Sequence, residues 1–246
     1  SSGQVRNKVL ETFDEAVSDI PDGSSLMLGG FGPPGMPQNL TGALLRRGVK
    51  DLTVIVNRLD SSWSAADPGK LLERGFVRKV CCAFSASPHP SQVTEFERLH
   101  EAGLFEAELI PQGTMVERMR AAAAGIGAFY TPTGVGTEIA EGKEHKVING
   151  RTYILEYPLP ADYAFIRATR ADTFGNLQYH MTQRNFNPVM AMASKNTFAE
   201  IEESIEEPGC LDPDHIHTPG IFIDRIVKIP PPPEGLWTFP SERRDR

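Results

Sequence analysis

The chain has 246 residues, of which 40% are hydrophobic and 23% charged, so wholesale disorder, a coiled coil and a small stapled scaffold are excluded. The net charge of −7 disfavours nucleic acid as a partner, because binding to phosphates requires a basic surface. No apolar run reaches the roughly 20 residues that cross a bilayer, so we expect no membrane partner.

The first half of the chain alternates strand and helix patterns. Val5, Val9, Phe13 and Val17 recur at i+4 spacing and predict an amphipathic first helix. The predicted strands that follow are 25–28, 52–56, 77–84 and 107–110, and the predicted helices are 37–47, 69–74 and 91–102. Such alternation indicates βαβ units and an open, mainly parallel α/β sheet with helices on both faces.

The next helix is placed by local signals. Thr114 and Glu117 match a T-x-x-E capping box, which sets the start of this helix near residues 111–113, and Gly125 is typical of its end. Downstream, Asn149-Gly150 predicts a hairpin with a type I′ turn. A second strand pair is predicted around Gly175-Asn176, followed by a helix over 187–194 and strands over 198–201 and 221–227.

The chain is interpreted as one domain, 1–246, in which residues 1–4 are a tag remnant and residues 230–246 form an extended proline-rich tail. Cys81, Cys82 and Cys210 form no CxxC pair, which argues against a disulfide framework or a cysteine zinc site and favours the cytoplasm. The D-x-D-H-x-H cluster at 212–217 is interpreted as a polar loop, so no metal is expected.

A glycine-rich segment lies between the first predicted strand and its helix. Gly30 to Gly35 match G-x-G-x-x-G, the pattern of a dinucleotide site, but Pro33 and Pro34 have no N–H to offer a pyrophosphate. Two interpretations remain. The glycines present backbone donors to a developing negative charge, or they only relieve clashes in a tight crossover.

The segment LMLGGFGPPGMPQNL resembles the first signature of the family I coenzyme A transferases, the 3-oxoacid CoA-transferase group. Matching blocks follow in the family's order: ELIPQGTMVERMRAAAAGIGAFYTPTGVGT, EGKEHKVINGRTYILEYPL, ADYAFIRATRADTFGNL, and QRNFNPVMAMA with TPGIFIDRIV. Over most of the chain, the resemblance is to the alpha subunit. It implies the open α/β fold of that subunit, in agreement with the strand and helix pattern.

The resemblance also implies a two-subunit enzyme. In this family a glutamate attacks an acyl-CoA thioester and forms an acyl-glutamyl anhydride, then a glutamyl-CoA thioester. That glutamate lies in a Ser-Glu-Asn-Gly sequence of the beta subunit, and no such sequence occurs here. The E-x-G matches at Glu73, Glu101 and Glu207 are interpreted as surface residues. We therefore expect activity only with a beta subunit, in an αβ or (αβ)2 assembly.

Site residues follow from the same resemblance. Coenzyme A binding is expected at the loop formed by Gly29, Gly30, Phe31, Gly32, Pro33, Pro34 and Gly35. Gln112 matches a glutamine that positions or hydrogen-bonds the partner's glutamate, and its place at a strand end supports this. Asn57, also at a strand end, is a candidate for facing the substrate. Acyl-CoA and a small carboxylic acid are expected as substrates, with no tightly bound cofactor.

Several residue roles stay open. Phe31 packs against the acyl or pantetheine part of the substrate, or it lies in the core. Arg184, in the family's R-N-F motif, pairs with an acid group or makes structural hydrogen bonds.

Tyr179-His180-Met181 replaces the Tyr-Arg-Lys typical of 3-oxoadipate enzymes, which favours a 3-oxo or short-chain acid of the acetoacetate, acetate or succinate type without excluding 3-oxoadipate. A CoA-ester hydrolase or ring-opening enzyme on the same fold, and a non-catalytic CoA-ester sensor, are the alternatives.

Overall fold

The computed structural model describes residues 7–59, 67–85 and 93–231. The strands are β1 (Val9–Leu10), β2 (Ser25–Leu28), β3 (Leu52–Arg58), β4 (Val77–Phe84), β5 (Glu106–Leu109), β6 (Phe129–Thr131), β7 (His145–Ile148), β8 (Arg151–Glu156), β9 (Ala161–Asp172), β10 (Leu177–Gln178), β11 (Ser194–Glu206) and β12 (Arg225–Lys228). The helices are α1 (Phe13–Ala16), α2 (Gln38–Arg47), α3 (Pro68–Glu73), α4 (Glu95–Glu101), α5 (Gln112–Ala124) and α6 (Asn187–Ala193).

One large sheet organises the described part of the chain. Its order is β1-β12-β11-β9-β2-β3-β4-β5, each neighbouring pair along this path is parallel, and β10 pairs antiparallel with β9. A small antiparallel sheet, β6-β8-β7, is added in the second half. The predicted open, mainly parallel α/β sheet with antiparallel hairpins is confirmed.

The sheet is covered on both faces because its strands alternate apolar side chains between two cores. One core holds Leu28 of β2 and residues of α1 to α4, and the other holds Met27 and residues of α5 and α6. Cys81 and Cys82 lie in opposite cores, as predicted for adjacent strand residues. Burial raises the pKa of Cys81 to about 12 and that of Cys82 to about 11, so neither is a thiolate nucleophile at neutral pH.

The turn signals of the second half are confirmed. Asn149 and Gly150 have φ values of 49° and 77°, as a type I′ turn requires, and they join β7 to β8. The strand pair around Gly175 is β9 with β10. The predicted strand over 221–227 begins only at Arg225, because the chain from Gly220 to Phe222 forms a 3₁₀ turn.

The predicted start of the first helix is wrong, whereas the start predicted near residues 111–113 is confirmed by α5, although the capping box predicted there is absent. Val9 belongs to β1, which pairs with β12 at the sheet edge, and the first helix is only the four residues of α1, capped by Thr12. The capping box at Thr114 does not form, since α5 already begins at Gln112 and Thr114 lies buried within its first turn. Pro111 precedes this helix and accepts its first hydrogen bond through its carbonyl. A capping box does form at Thr94, where α4 begins.

The chain ends were also assigned from sequence. Residues 1–4 and the proline-rich tail beyond Pro231 lie outside the described residues. Within residues 7–59, 67–85 and 93–231, the helices are too short or too polar to cross a membrane.

Candidate functional site

The glycine loop, defined as residues 29–37, and the two amides predicted at strand ends all lie at the carboxyl edge of the large sheet. The loop follows β2, Asn57 is the penultimate residue of β3, and Gln112 begins α5 after β5. The order of strands across the sheet reverses at β2, which lies between β9 and β3. A crevice at such a reversal is where parallel sheets build ligand sites.

Asn57 and Gln112 contact each other. Gln112 Nε2 donates a hydrogen bond of 2.8 Å to Asn57 Oδ1. Asn57 is buried and Gln112 is exposed, so the inner amide fixes the outer one. In the described part of the chain, the second N–H of Gln112 and its Oε1 have no protein partner. The pair therefore presents an oriented amide with a free donor and a free acceptor to the edge of the sheet.

Close packing dictates glycine at both ends of the 29–35 segment. A Cβ on Gly29 would lie 1.8 Å from Asn187 Oδ1, and one on Gly35 would lie 2.6 Å from Asn187 Nδ2. Gly30 and Gly32 have φ values of 105° and 66°, a region that favours glycine. The crossover is therefore tight, and the interpretation that the glycines relieve clashes holds for Gly29 and Gly35.

The donor interpretation holds only in part. The N–H of Gly29 bonds the carbonyl of Phe165 at 2.9 Å, and the N–H of Gly30 bonds Asn185 Oδ1 at 3.2 Å. Both are therefore occupied. The N–H of Gly32, on a half-buried residue, has no acceptor among the described residues, so it is the donor that a ligand can reach from the tip of the loop.

Two asparagines hold the glycine loop in place, and sequence reasoning missed both. Asn185 accepts from Gly30 and donates from Nδ2 to the carbonyl of Pro34 at 3.0 Å. Asn187, fully buried, donates from Nδ2 to the carbonyl of Gly35 at 3.2 Å. The one sequence signal for them is the N-F-N spacing that follows Arg184 in the R-N-F block.

Exposed apolar and cationic side chains lie on this loop and on the turn before Asn185. Phe31 is 53% exposed, so it is not a core aromatic. Met181, at the turn that leads to Asn185, has a φ of 46° and is 80% exposed. Arg184 is exposed, and its side chain has no partner among the described residues, which leaves its charge available to an acid group.

Two carboxylates among the described residues, Glu108 and Glu73, are engaged in ion pairs. Glu108, on the strand that leads to Gln112, is bonded by Lys79 and Arg118 at 2.8 and 2.9 Å. Burial favours its neutral form, but these two cations outweigh burial and lower the pKa of Glu108 to about 2. Glu73 pairs with Lys70 on α3. Among the described residues, the hydrogen bond at Asn57 and Gln112 joins the two amides and involves no carboxylate.

The 212–217 cluster serves local structure. His215 Nδ1 bonds Asp212 at 2.7 Å, and His217 Nδ1 accepts from the N–H of Tyr179 at 2.9 Å. Within the part of the chain that the structure describes, His, Cys, Asp and Glu side chains do not gather in groups of three suited to a metal ion.

A family of known proteins matches almost the whole chain. The sequence model of the coenzyme A transferase family matches residues 10–229. The chain belongs to this family. The match includes the glycine loop, Asn57, Gln112 and the Asn185 turn.

Two curated members of the family are similar over most of their length. One subunit of the 3-oxoadipate CoA-transferase of Pseudomonas putida is 48% identical over 223 residues, which is 91% of this chain and 94% of that protein. One subunit of the probable succinyl-CoA:3-ketoacid coenzyme A transferase of Bacillus subtilis is 49% identical over 221 residues, 89% of each chain. The likeness to CoA-transferase subunits is therefore spread over nearly the whole chain.

A solved structure confirms the CoA-transferase fold. The acyl-CoA transferase YdiF of Escherichia coli O157:H7, in a thioester complex with CoA, superposes with a TM-score of 0.77 at 22% identity. The match covers 95% of this chain and 49% of YdiF, so the chain spans about half the length of that enzyme.

Proposed function

We propose that this chain is the alpha subunit of a two-subunit CoA-transferase whose catalytic glutamate lies on the beta subunit. The observation that carries the proposal is the amide pair of Asn57 and Gln112 at the carboxyl edge, whose hydrogen bond involves no carboxylate and whose outer amide has unused hydrogen-bonding groups among the described residues. The names of the two similar proteins, each of which denotes one subunit of an enzyme, support the need for a second subunit. The beta subunit would close the site opposite this edge.

The chemistry assigned to the partner is covalent catalysis by a carboxylate. The partner's glutamate attacks the thioester carbonyl, the C–S bond breaks, and CoA leaves as a thiolate from an acyl-glutamyl anhydride. The thiolate then attacks the glutamyl carbonyl, releasing the first acid and leaving a glutamyl-CoA thioester. The second acid enters through the reverse steps, which form its CoA ester and restore the glutamate.

In this proposal, the alpha subunit supplies hydrogen-bond donors on the side of the site opposite the partner's glutamate. The free N–H of Gln112 is placed to donate to the partner's carboxylate or to the oxygen that gains charge as the thioester is attacked. Asn57 prevents the Gln112 amide from rotating. The N–H of Gly32 provides a further donor from the glycine loop, which we assign to CoA. No tightly bound cofactor is required.

The second substrate in the proposal is a 3-oxo acid. The names of both similar proteins contain this group, as 3-oxoadipate and 3-ketoacid. His180 and Met181 replace the Arg-Lys pair typical of enzymes whose acid has a second carboxylate, and Met181 is exposed on the turn before Asn185. Acetoacetate is therefore preferred over 3-oxoadipate. Free thiols at Cys81, Cys82 and Cys210 support a cytoplasmic location for the complex.

Reconstitution tests the proposal. The chain is coexpressed with a beta subunit containing Ser-Glu-Asn-Gly, and CoA exchange is measured between succinyl-CoA and acetoacetate, acetate or 3-oxoadipate. We expect exchange only in the complex, and inactivation by borohydride only after acyl-CoA has formed the glutamyl thioester. Full activity of the isolated chain would contradict the proposal. Hydrolysis of acyl-CoA without transfer to any acid would indicate the CoA-ester hydrolase alternative.

A further inference from the structure

A buried carboxylate on β11 lies against the exit of the glycine loop. Glu200 is fully buried, and its Oε2 accepts hydrogen bonds from the backbone N–H groups of Asn39 and Leu40 at 2.8 and 3.0 Å. Its Oε1 accepts from the side-chain amide of Asn39 at 3.2 Å. The N-cap of α2 is Pro37, which makes no side-chain cap. Glu200 therefore satisfies the first N–H groups of α2 from a distant strand.

Arg167 on β9 extends the same cluster. Its guanidinium lies 3.4 Å from Glu200 Oε1 and 3.5 Å from the carbonyl of Met36, and it donates from Nε to Glu202 Oε1 at 2.7 Å. Residues 36–40, where the glycine loop leads into α2, are thus bonded to both β9 and β11. Residues 30–35 of the loop are held by Asn185 and Asn187.

A buried carboxylate is a costly way to begin a helix. Burial raises the pKa of Glu200 to about 7, because removal from water outweighs Arg167 and the N–H donors of Leu40 and Asn39. A Ser at the N-cap position, where Pro37 lies, would satisfy such donors without a buried charge. The stability of α2 alone therefore does not account for a carboxylate at this position.

We propose that Glu200 is a positioning residue for acyl-CoA binding, which fixes residues 36–40 to β11 and so holds the glycine loop in its binding position. The inference rests on the proposed function, in which this loop binds CoA. Release of residues 36–40 would displace Gly32, whose N–H has no acceptor among the described residues, and weaken binding of the CoA ester. Asn57 and Gln112 lie on other elements and would keep their hydrogen bond.

The test compares two buried glutamates. Glu200→Gln is nearly isosteric but replaces one acceptor oxygen of the cluster with a donor. Glu156→Gln is the matched control, because Glu156 is also buried, is paired with Lys143 at 2.6 Å, and lies in the small sheet away from the loop. Both variants are assayed in the reconstituted complex after circular dichroism has established that they fold.

We expect E200Q to raise the KM for acyl-CoA about tenfold, a loss of about 1.4 kcal/mol, and to leave the KM for the acceptor acid within about twofold. E156Q should leave both KM values unchanged. If Glu200 only stabilised the fold, the E200Q variant would have a smaller active fraction and hence a lower kcat, but the KM for acyl-CoA would not rise selectively. An unchanged KM for acyl-CoA in folded E200Q, or the same rise in E156Q, would overturn the inference.

A second readout does not depend on transferase activity. Amide hydrogen exchange at residues 36–40 should be faster in E200Q than in the wild type and unaffected in E156Q. If the wild-type complex transfers no CoA but this exchange pattern appears, the proposed function fails while the anchoring by Glu200 stands. Equal exchange in all three proteins overturns the inference. Should E200Q fail to fold, Asn39→Ala removes one bond to Glu200 Oε1 and should raise the same KM by a smaller factor.

Discussion

The side chains of Asn57, on β3, and Gln112, at the start of α5, meet in a hydrogen bond of 2.8 Å. The bond places a buried amide behind an exposed one. In the proposed mechanism Gln112 touches the reacting groups and Asn57 acts through it, so the two residues should behave as one unit when they are removed.

A double-mutant cycle measures this coupling. In the reconstituted complex, Gln112→Ala should lower kcat about a hundredfold, as loss of an oxyanion donor does. Asn57→Ala should lower kcat about tenfold, because Gln112 becomes free to rotate. The double variant should be no slower than Gln112→Ala alone. Additive losses in the double variant would show that Asn57 acts independently of Gln112.

Alanine substitutions at two glycines distinguish the effect of steric clashes on stability from the effect of helix propensity. Gly29→Ala places a methyl group on Asn187 Oδ1 and should destabilise the protein by about 1–3 kcal/mol. Gly113→Ala meets no atom within 4 Å and lies in α5, so it should be neutral or stabilising by up to about 1 kcal/mol. Denaturant midpoints of the folded chain provide the measurement. Equal stability of the two variants would contradict the packing described for Asn187.

The available charge of Arg184 predicts a salt-dependent contribution to CoA binding. Arg184→Gln should raise the KM for acyl-CoA about fivefold at low salt and less at high salt, because the phosphates of CoA lose a cation whose attraction salt screens. Arg46→Gln is the control, since Arg46 is equally cationic but lies at the far end of α2, paired with Asp14. A salt-independent effect, or the same effect in Arg46→Gln, would exclude ionic recognition by Arg184.

Glu200 also predicts how stability varies with pH. Its folded-state pKa of about 7 lies above its ordinary value of 4.5, so between these values the folded chain binds a proton that the unfolded chain has lost. This contribution is fully present below pH 4.5 and is lost as the pH rises through about 7, at a cost of about 3 kcal/mol. Urea unfolding at about pH 5.5 and about pH 8 should show the loss in the wild type and not in Glu200→Gln, with Arg167 still bonded to Glu202. An equal pH dependence in both proteins would contradict the assignment.

Local patterns predicted most of the large sheet. The apolar runs of β2, β3 and β4 and the Asn149-Gly150 turn each carry their signal within a few residues. Helix caps were less predictable than helix positions. Thr114 resembles a cap and predicts the start of α5 close to the observed Gln112, but Thr114 lies inside the helix and Pro111 is the N-cap residue.

The residues of the candidate site were predictable where a local motif or a strand end marks them. Gln112 and the glycine loop came from the family resemblance, and the position of Asn57 and Gln112 at strand ends supports them because the carboxyl ends of parallel strands share one edge. Their contact, and the anchors Asn185, Asn187 and Glu200, depend on pairings between distant segments. The spacing of polar residues in one strand cannot reveal that Glu200 reaches the start of α2, since the sequence between them includes several other strands of the large sheet and the whole small sheet.

The distance along the chain between the glycine loop and its anchors governs when the loop can acquire its shape. Gly30 bonds a residue 155 positions later, and Leu40 bonds one 160 positions later. Contacts of such separation form late, because the intervening chain must first be ordered. On the ribosome, β2 to β5 emerge well before β11, so a nascent chain has the loop sequence long before it has the loop geometry. Chains that terminate before β11 would expose an unanchored loop, and a competent surface becomes available for assembly only once β11 has been synthesised.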